Sequence, residues 1–242
     1  MLEIIFNNVI PGLKKNNLLL IDEVFCWGDI AEKKSNYDAY VKRIEKETEI
    51  RVWYSNSQLG LSGFYWLCKL LTDISYGGNV YVENSSKEID GEQWSLDTED
   101  VLRVENTRNL LSPETIKENS VKWQKLCFEN SDVRIIKNNE LVSDIPDNEN
   151  ELTETELIVL RIMKDLEITV EKSKDVALII GTLLERYPKI LNNDFAIFMI
   201  IKRLSEKNNP LIELIPVSRR IKDSNDYLYF KCKFSELGYS IV

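Results

Sequence analysis

Two short polar stretches contain the residues whose types and spacing could hold a ligand. The first is "IDEVFCWGD", residues 21–29, where Asp22, Glu23, Cys26 and Gly28 directly follow an apolar run. Carboxylates accept hydrogen bonds and attract cations, and a glycine lets a ligand or another backbone approach closely. We therefore predict that these four residues belong to a ligand-binding site.

The second stretch follows the apolar run "IRVWY", residues 50–54, and contains Ser55, Asn56 and Gln58. Its side chains can donate and accept hydrogen bonds, and the helix predicted to begin here offers backbone amides. If the two runs are parallel strands, both stretches lie outside strand carboxyl ends, where open α/β sheets hold ligands. The pattern predicts one site for a small polar ligand.

A metal-assisted reaction is an alternative for the first stretch. Asp22 and Glu23 cannot act as a simple pair, because neighbouring residues of a strand point to opposite faces. Either one together with Asp29, across the turn, could hold Mg²⁺ through waters, as enzymes acting on nucleotides or other phosphorylated compounds do. No second spaced acidic motif supports this reading, and we predict no cofactor or metal.

The chain contains no histidine, which excludes several kinds of catalysis. An imidazole-activated serine or cysteine, a histidine-ligated zinc and a histidine proton shuttle are all impossible within this sequence. Any reaction would depend on carboxylates, Lys, Tyr, Cys or a metal held by oxygen atoms. The sequence therefore leaves enzymatic activity open and favours a protein without it.

The cysteines and the hydropathy pattern predict a cytoplasmic protein. The four cysteines, Cys26, Cys68, Cys127 and Cys232, lie far apart and form no C-x-x-C pair, as is typical of reduced structural thiols. No apolar run approaches the roughly 20 residues of a membrane span, and the first residues lack the order of a signal peptide. We expect no membrane association.

The first half of the sequence alternates between strand and helix patterns. Four runs are short, apolar and rich in β-branched or aromatic residues, as buried parallel strands are: residues 2–6, 17–22, 50–54 and 79–83. The segments 37–48, 57–72 and 111–127 have helical patterns, and the last begins with Ser112 as N-cap and Pro113 in the first turn. This alternation predicts an α/β fold with a mainly parallel sheet flanked by helices.

A polar, acidic stretch, residues 143–151, separates this half from a differently patterned one. We predict an α/β domain over 1–142, a linker over 143–151 and a second domain over 152–242. The second domain begins with a capping box formed by Thr153 and Glu156. Three helical patterns followed by two strands are the order of a winged helix, so we predict a winged-helix-like domain.

The charges of the two halves differ. Residues 1–150 contain 17 Lys and Arg against 26 Asp and Glu, whereas residues 151–242 contain 14 of each. If nucleic acid binds, the third helix and the hairpin of the second half would contact its phosphates through Lys202, Arg203, Arg219, Arg220 and Lys222. The third helix is largely apolar and the half has no net charge, so we favour a protein partner or self-association over DNA.

The first 140 residues resemble a bacterial family known as domain of unknown function 1835, often followed by a small helical C-terminal domain. The resemblance is carried by "DEVFCWGD" (22–29), "VWYSNSQLGL" (52–61) and "LLSPETIKENSVKW" (110–123). Many relatives have a Gly-Asp-Ser turn after the first strand, where this chain has Phe6, Asn7 and Asn8. The resemblance implies a shared fold and a shared site, with no activity attached.

These observations predict a cytoplasmic protein whose α/β domain binds a small polar ligand and whose second domain binds a partner. The metal-assisted enzyme and the DNA-binding regulator remain as alternatives, and so does a structural interaction protein that binds no ligand.

Overall fold

The computed structural model describes most of the chain. The described residues are 1–6, 17–21, 34–89, 92–95, 98–104, 107–131, 133–146, 148, 151–188, 190–191, 193–217 and 226–241. They form two compact units. The first unit contains residues 1–130 and 138–141, and the second contains 131–137 and 142–242.

The first unit is built on a four-stranded parallel sheet. Its strands are β1 (Leu2–Phe6), β2 (Leu18–Ile21), β3 (Glu49–Tyr54) and β4 (Asn79–Asn84), in the order β2-β1-β3-β4. All three pairings are parallel. The prediction of an α/β fold with a parallel sheet flanked by helices is therefore confirmed. Strand β1 is buried along its whole length, as its five mostly apolar residues require.

The helices of this unit are α1 (Lys34–Ile44), α2 (Gln58–Asp73), α3 (Thr98–Val104) and α4 (Pro113–Glu129). Ring edges connect α1 to α2, since Tyr37 and Tyr40 both contact Trp66. On the other face of the sheet, Val101 of α3 packs with Ile5 and Trp53. A small antiparallel pair, β5 (Ser86–Ile89) and β6 (Glu92–Ser95), precedes α3.

Helix α4 begins as the sequence predicts. Ser112 accepts a hydrogen bond from the backbone N–H of Thr115 at 3.1 Å, and Pro113 occupies the first helical position. Ahead of the helix, residues 107–111 run antiparallel to β4, with a bridge between Tyr81 and Leu110. Short strands β7 (Arg134–Lys137) and β8 (Glu140–Ser143) follow, joined by Asn138 and Asn139 at positive φ.

The second unit contains α5 (Glu154–Asp165), β9 (Lys174–Asp175), α6 (Val176–Arg186), α7 (Asp194–Glu206), β10 (Ile212–Pro216), β11 (Phe230–Phe234) and α8 (Glu236–Ile241). A 3-10 helix, Tyr227–Tyr229, precedes β11. The strands form an antiparallel sheet in the order β10-β11-β9. One continuous core of Ile, Leu, Val and Phe side chains joins the three longer helices to this sheet.

Helix α5 is fixed at both ends. Its capping box is complete: the N–H of Glu156 donates to Thr153, and the Glu156 carboxylate accepts from the N–H of Thr153. At the other end Glu167 adopts φ 54° and the N–H of Ile168 donates to the carbonyl of Met163. This is a Schellman ending, in which the left-handed residue is here a glutamate.

None of the helices in the described ranges is long and apolar enough to cross a membrane.

Candidate functional site

The carboxyl edge of the parallel sheet is the candidate site. Because β1 lies between β2 and β3, the chain leaves β1 toward β2 on one side and later returns to pair β3 on the other. Such a reversal of strand order opens a crevice outside the strand carboxyl ends, where α/β proteins hold ligands. Strands β1, β3 and β4 end here at Phe6, Tyr54 and Asn84.

The turn from β3 into α2 places four hydroxyl and amide residues, Ser55 to Gln58, at this edge. Ser57 is the N-cap of α2 and accepts a hydrogen bond from the N–H of Gly60 at 3.0 Å. The hydroxyls of Ser55 and Ser57 lie 2.7 Å apart, which fixes both of them. Ser55 and Gln58 are buried and Asn56 is half-buried, so the turn is polar but largely removed from bulk water.

Two glycines hold α2 close against this turn and the sheet. A Cβ on Gly60 would lie 2.3 Å from the carbonyl oxygen of Ser55, and one on Gly63 would lie 2.4 Å from the ring of Phe6. No larger residue fits at either position without moving backbone or a core ring. The "QLGLSG" spacing therefore brings the first turn of α2 directly over the end of β3.

The end of β4 and the residue after it add a buried carboxylate, Glu83, and a buried hydroxyl, Ser85, beside this turn. Glu83 pairs in register with Trp53, and the N–H of Ser85 donates to the carbonyl of Tyr54 at 2.8 Å. The Glu83 carboxylate accepts hydrogen bonds from the hydroxyl of Thr107 and from the side-chain amide of Asn109. Glu83 and Ser85 are both less than a tenth exposed. The edge thus carries a fixed, buried acceptor.

A buried ion pair lies between β1 and β3, further from the carboxyl edge than Trp53. Arg51 on β3 faces Glu3 on β1 in register, and its Nε and terminal nitrogen donate to the Glu3 carboxylate at 2.9 and 2.8 Å. The indole of Trp53 donates to the same carboxylate at 2.6 Å. The Trp53 ring, which lies beside Glu83, is therefore held in one orientation.

Tyr54 and Cys68 supply no base or nucleophile at neutral pH. Burial, and to a smaller extent the neighbouring Cys68, raises the pKa of the Tyr54 phenol above its ordinary 10.0. Burial raises the pKa of the Cys68 thiol from 9.0 to about 12. Both groups stay protonated, and the Tyr54 ring is stacked on Phe64 at 4.3 Å between centroids. Both side chains pack inside the first unit, behind the carboxyl edge of the sheet.

The structure brings together part of the predicted ligand site. Ser55, Asn56 and Gln58 lie together at the carboxyl edge, as the sequence predicts for the end of a parallel strand. Asp22, Glu23, Cys26 and Gly28 lie outside the described residues, and so does Asp29 of the metal alternative. Within the described ranges, no three Asp, Glu or Cys side chains come together in a way that could hold a metal.

Sequence reasoning missed Glu83 and Ser85. Glu83 had one usable signal: it is a carboxylate at the end of an otherwise apolar run, in the same alternation as Tyr81. Such a residue either faces solvent or is buried with partners, and the partners here, Thr107 and Asn109, come from a segment 24 and 26 residues further along. The hydrogen bonds from Thr107 and Asn109 to Glu83 form because residues 107–111 run antiparallel alongside β4. No local sequence pattern indicates that arrangement.

One residue of the predicted basic surface, Arg203, forms salt bridges with two buried carboxylates of the second unit. We call Arg203, Asp144 and Glu156 the anchor. The guanidinium of Arg203 donates through Nε to Glu156 at 2.9 Å, and through its other nitrogens to the carbonyl and carboxylate of Asp144. Lys207 pairs with Glu156 at 3.2 Å. Asp144 and Glu156 are buried, so two cations neutralise two buried carboxylates. Lys202 lies 3.8 Å from Glu206, and Arg219, Arg220 and Lys222 lie outside the described residues.

Asp144 also fixes the start of the segment predicted to be a linker, residues 143–151, through hydrogen bonds. Its carboxylate accepts hydrogen bonds from the hydroxyls of Thr153 at 3.0 Å and Thr155 at 2.7 Å. Its backbone N–H donates to the carbonyl of Val133 at 2.9 Å. Composition did not indicate these hydrogen bonds, because one aspartate among several acidic residues gives no sign of its partners.

No protein-family model matches the chain, and no curated protein matches its sequence. The resemblance to the family of domain of unknown function 1835 therefore stays a prediction.

Proposed function

We propose that the first unit binds a small polar molecule at the carboxyl edge of its sheet, between β1, β3 and β4. One observation carries this proposal: Ser55, Gln58, Glu83 and Ser85 gather at this edge and are each less than a tenth exposed. Burying polar groups costs free energy that a purely apolar strand end would avoid. Hydrogen bonds between these buried polar side chains and the hydroxyls or amines of a ligand would offset that cost.

The chemistry of the edge favours a ligand with both hydroxyls and an anionic group. Glu83 is a fixed acceptor for hydroxyl or amine hydrogens. Helix α2 is 16 residues long and begins at the same edge, so the positive end of its dipole favours an anion there. A mononucleotide, with ribose hydroxyls and a phosphate, combines both features.

We propose binding without chemical conversion as the first unit's activity. The sequence has no histidine, and burial keeps Cys68 and Tyr54 protonated. The metal-assisted alternative depends on Asp22, Glu23 and Asp29, outside the described residues. It is tested by adding Mg²⁺ to the ligand screen.

We propose that the second unit is a winged-helix-like module that binds a protein partner. Support comes from the order α5-β9-α6-α7-β10-β11 and from the antiparallel sheet that β9, β10 and β11 form. A protein partner is favoured over DNA because the donors of Arg203 bond to Asp144 and Glu156. Duplex DNA titrated against the full chain at low salt should give no binding. Salt-dependent binding would contradict this choice.

We further propose a bacterial, cytoplasmic protein of the domain of unknown function 1835 type. Among the described residues, Cys68, Cys127 and Cys232 form no disulfide with one another, which supports a reducing compartment. Two of the segments that carry the family resemblance build elements of the candidate site and its surroundings: residues 52–61 form the end of β3 and the start of α2, and 110–123 lead into α4.

A thermal-shift screen tests the ligand proposal. The probes are AMP, ATP and inorganic phosphate, each with and without Mg²⁺. Tryptophan fluorescence reports the first unit alone, because all five tryptophans precede residue 131: Trp27, Trp53, Trp66, Trp94 and Trp123. A probe at 100 times its Kd should stabilise this unit by about 2.7 kcal/mol, a shift of several degrees. A screen in which every probe leaves the transition unchanged counts against the proposal.

A further inference from the structure

Helix α4 carries exposed apolar side chains on the side turned away from the core. Phe128 is 92% exposed and Val121 is 56% exposed. The opposite side of the helix buries Asn119, Ser120, Trp123 and Leu126. A phenyl ring so fully in water is unusual for a helix that already has a buried face, and it marks a surface suited to an interaction.

The exposed residues form one continuous stripe. Glu114, Glu118, Val121, Lys125 and Phe128 follow one another at intervals of four and three residues, and all five are exposed. This spacing keeps side chains on one line along a helix and is the spacing by which two helices pack along their length. We call these five residues the α4 stripe.

We propose that the α4 stripe binds the α4 stripe of a second copy of this chain, with the two helices antiparallel and a two-fold axis at Val121. A two-fold interface places the same surface on both sides, so the stripe must be complementary to itself when reversed. The charges along α4 meet this condition.

Helix geometry brings opposite charges together in that arrangement. With about 1.5 Å of rise and about 100° of turn per residue, Glu118 lies about 4.5 Å before Val121 and Lys125 about 6 Å after it, on the same flank. The two-fold axis therefore sets Glu118 opposite Lys125 of the copy, twice. Within one chain Lys125 pairs with Glu129 at 3.6 Å, a surface contact that is easily exchanged.

The other positions close to the axis oppose no like charges. On the other flank, Lys117 meets Gln124 of the copy, by the same geometry. Val121 meets Val121 at the centre. Phe128 lies about 10.5 Å from the axis, as does Glu114 on the other side, so each ring covers the Pro113–Glu114 turn of the copy. Both exposed apolar residues are then removed from water.

Sedimentation of the full chain, from micromolar to sub-millimolar concentrations, tests the proposal. We expect a concentration-dependent dimer. Phe128→Ser should raise its dissociation constant at least tenfold. Leu228→Ser, which changes a side chain 61% exposed in the second unit, should leave it unchanged. A wild-type chain that stays monomeric throughout, or a dimer insensitive to Phe128→Ser, would overturn the proposal.

A charge exchange gives a second test that does not depend on the apolar residues. Glu118→Lys alone and Lys125→Glu alone each set like charges across the axis, so each variant should be monomeric. Mixed together, the two variants should form a heterodimer, because every Glu118–Lys125 contact again joins opposite charges. A mixture that sediments like its separate components would contradict the antiparallel arrangement. Far-UV circular dichroism checks that these exposed substitutions leave the fold intact.

Discussion

Glu3 and Arg51 face each other in register on β1 and β3 and form a bidentate ion pair inside the first unit. Their side chains are 12% and 3% exposed, so the pair is almost fully removed from water. Charges in such a place are tolerated only when each one is paired and its hydrogen bonds are made. The indole of Trp53 completes the hydrogen bonding of Glu3.

Removing one partner of this pair should be costly. Arg51→Met leaves the Glu3 carboxylate buried beside a neutral side chain, and we expect the free energy of unfolding to fall by about 3–5 kcal/mol. The double variant Glu3→Met, Arg51→Met should lose less than Arg51→Met alone, because no unpaired charge remains. Urea unfolding followed by tryptophan fluorescence measures both. Equal losses in the two variants would mean that packing, rather than charge, dominates.

The anchor in the second unit predicts different roles for two adjacent basic residues. Arg203→Met leaves Asp144 and part of the charge of Glu156 uncompensated, and it should cost about 3–5 kcal/mol of stability. Lys202→Met removes only a surface pair with Glu206, so its effect should stay within about 0.5 kcal/mol. Far-UV circular dichroism during urea unfolding reports the comparison. Similar effects of the two substitutions would contradict this role of the anchor.

The end of helix α2 offers a stabilising substitution. Ser75 has φ 52°, and its neighbour Tyr76 donates to the carbonyl of Leu71 in a Schellman ending. Glycine adopts this left-handed conformation without steric cost, so Ser75→Gly should raise the stability of the first unit by about 0.5–1 kcal/mol. Ser62→Gly, inside the same helix, should instead lower it. Tryptophan fluorescence during urea unfolding follows both variants.

How far the sequence predicted the fold depended on how local each signal was. Strand β1 occupies the predicted residues 2–6, and Ser112 and Thr153 are the N-caps of α4 and α5 as predicted, because apolar runs and caps are local signals. Strands β5 and β9 were not predicted, since "SKEI" has no apolar alternation and "KD" is only two residues long. The buried face of α4 includes Asn119, a polar residue that periodicity alone assigns to solvent.

The positions of the candidate-site residues could be predicted only where strand order alone decides them. Parallel strands end at one edge, and that placed Ser55, Asn56 and Gln58 correctly relative to β3. Glu83 depends on the distant residues Thr107 and Asn109, and Asp144 depends on Arg203. These partners are 59 residues apart in the second case, and charge patterns do not say which carboxylate a given cation will meet.

The buried thiol of Cys68 predicts a loss of stability in alkali. Its pKa is about 12 in the folded unit and 9.0 for the ordinary thiol, so above pH 9 the unfolded chain releases a proton that the folded one keeps. The free energy of unfolding should therefore fall as the pH rises from 9 toward 12, by up to about 1.4 kcal/mol per pH unit from this thiol.

Urea unfolding at pH 8 and pH 10, followed by tryptophan fluorescence, measures this loss. The part due to Cys68 should vanish in Cys68→Ala and remain in Cys127→Ala, which removes a half-buried thiol of α4. A fall between pH 8 and pH 10 that is as large in Cys68→Ala as in the wild type would assign the effect to other groups.

We propose that a small polar ligand binds at the carboxyl edge of the first unit's sheet. Titration calorimetry with AMP tests it on the full chain and on three variants. Asn56→Ala and Glu83→Gln change the edge itself, whereas Asn79→Ala changes an exposed residue at the amino end of β4. We predict AMP binding to the wild type, a loss of at least tenfold in affinity for Asn56→Ala and Glu83→Gln, and no change for Asn79→Ala. Absence of AMP binding to the wild type, or an equal loss in Asn79→Ala, would contradict the claim.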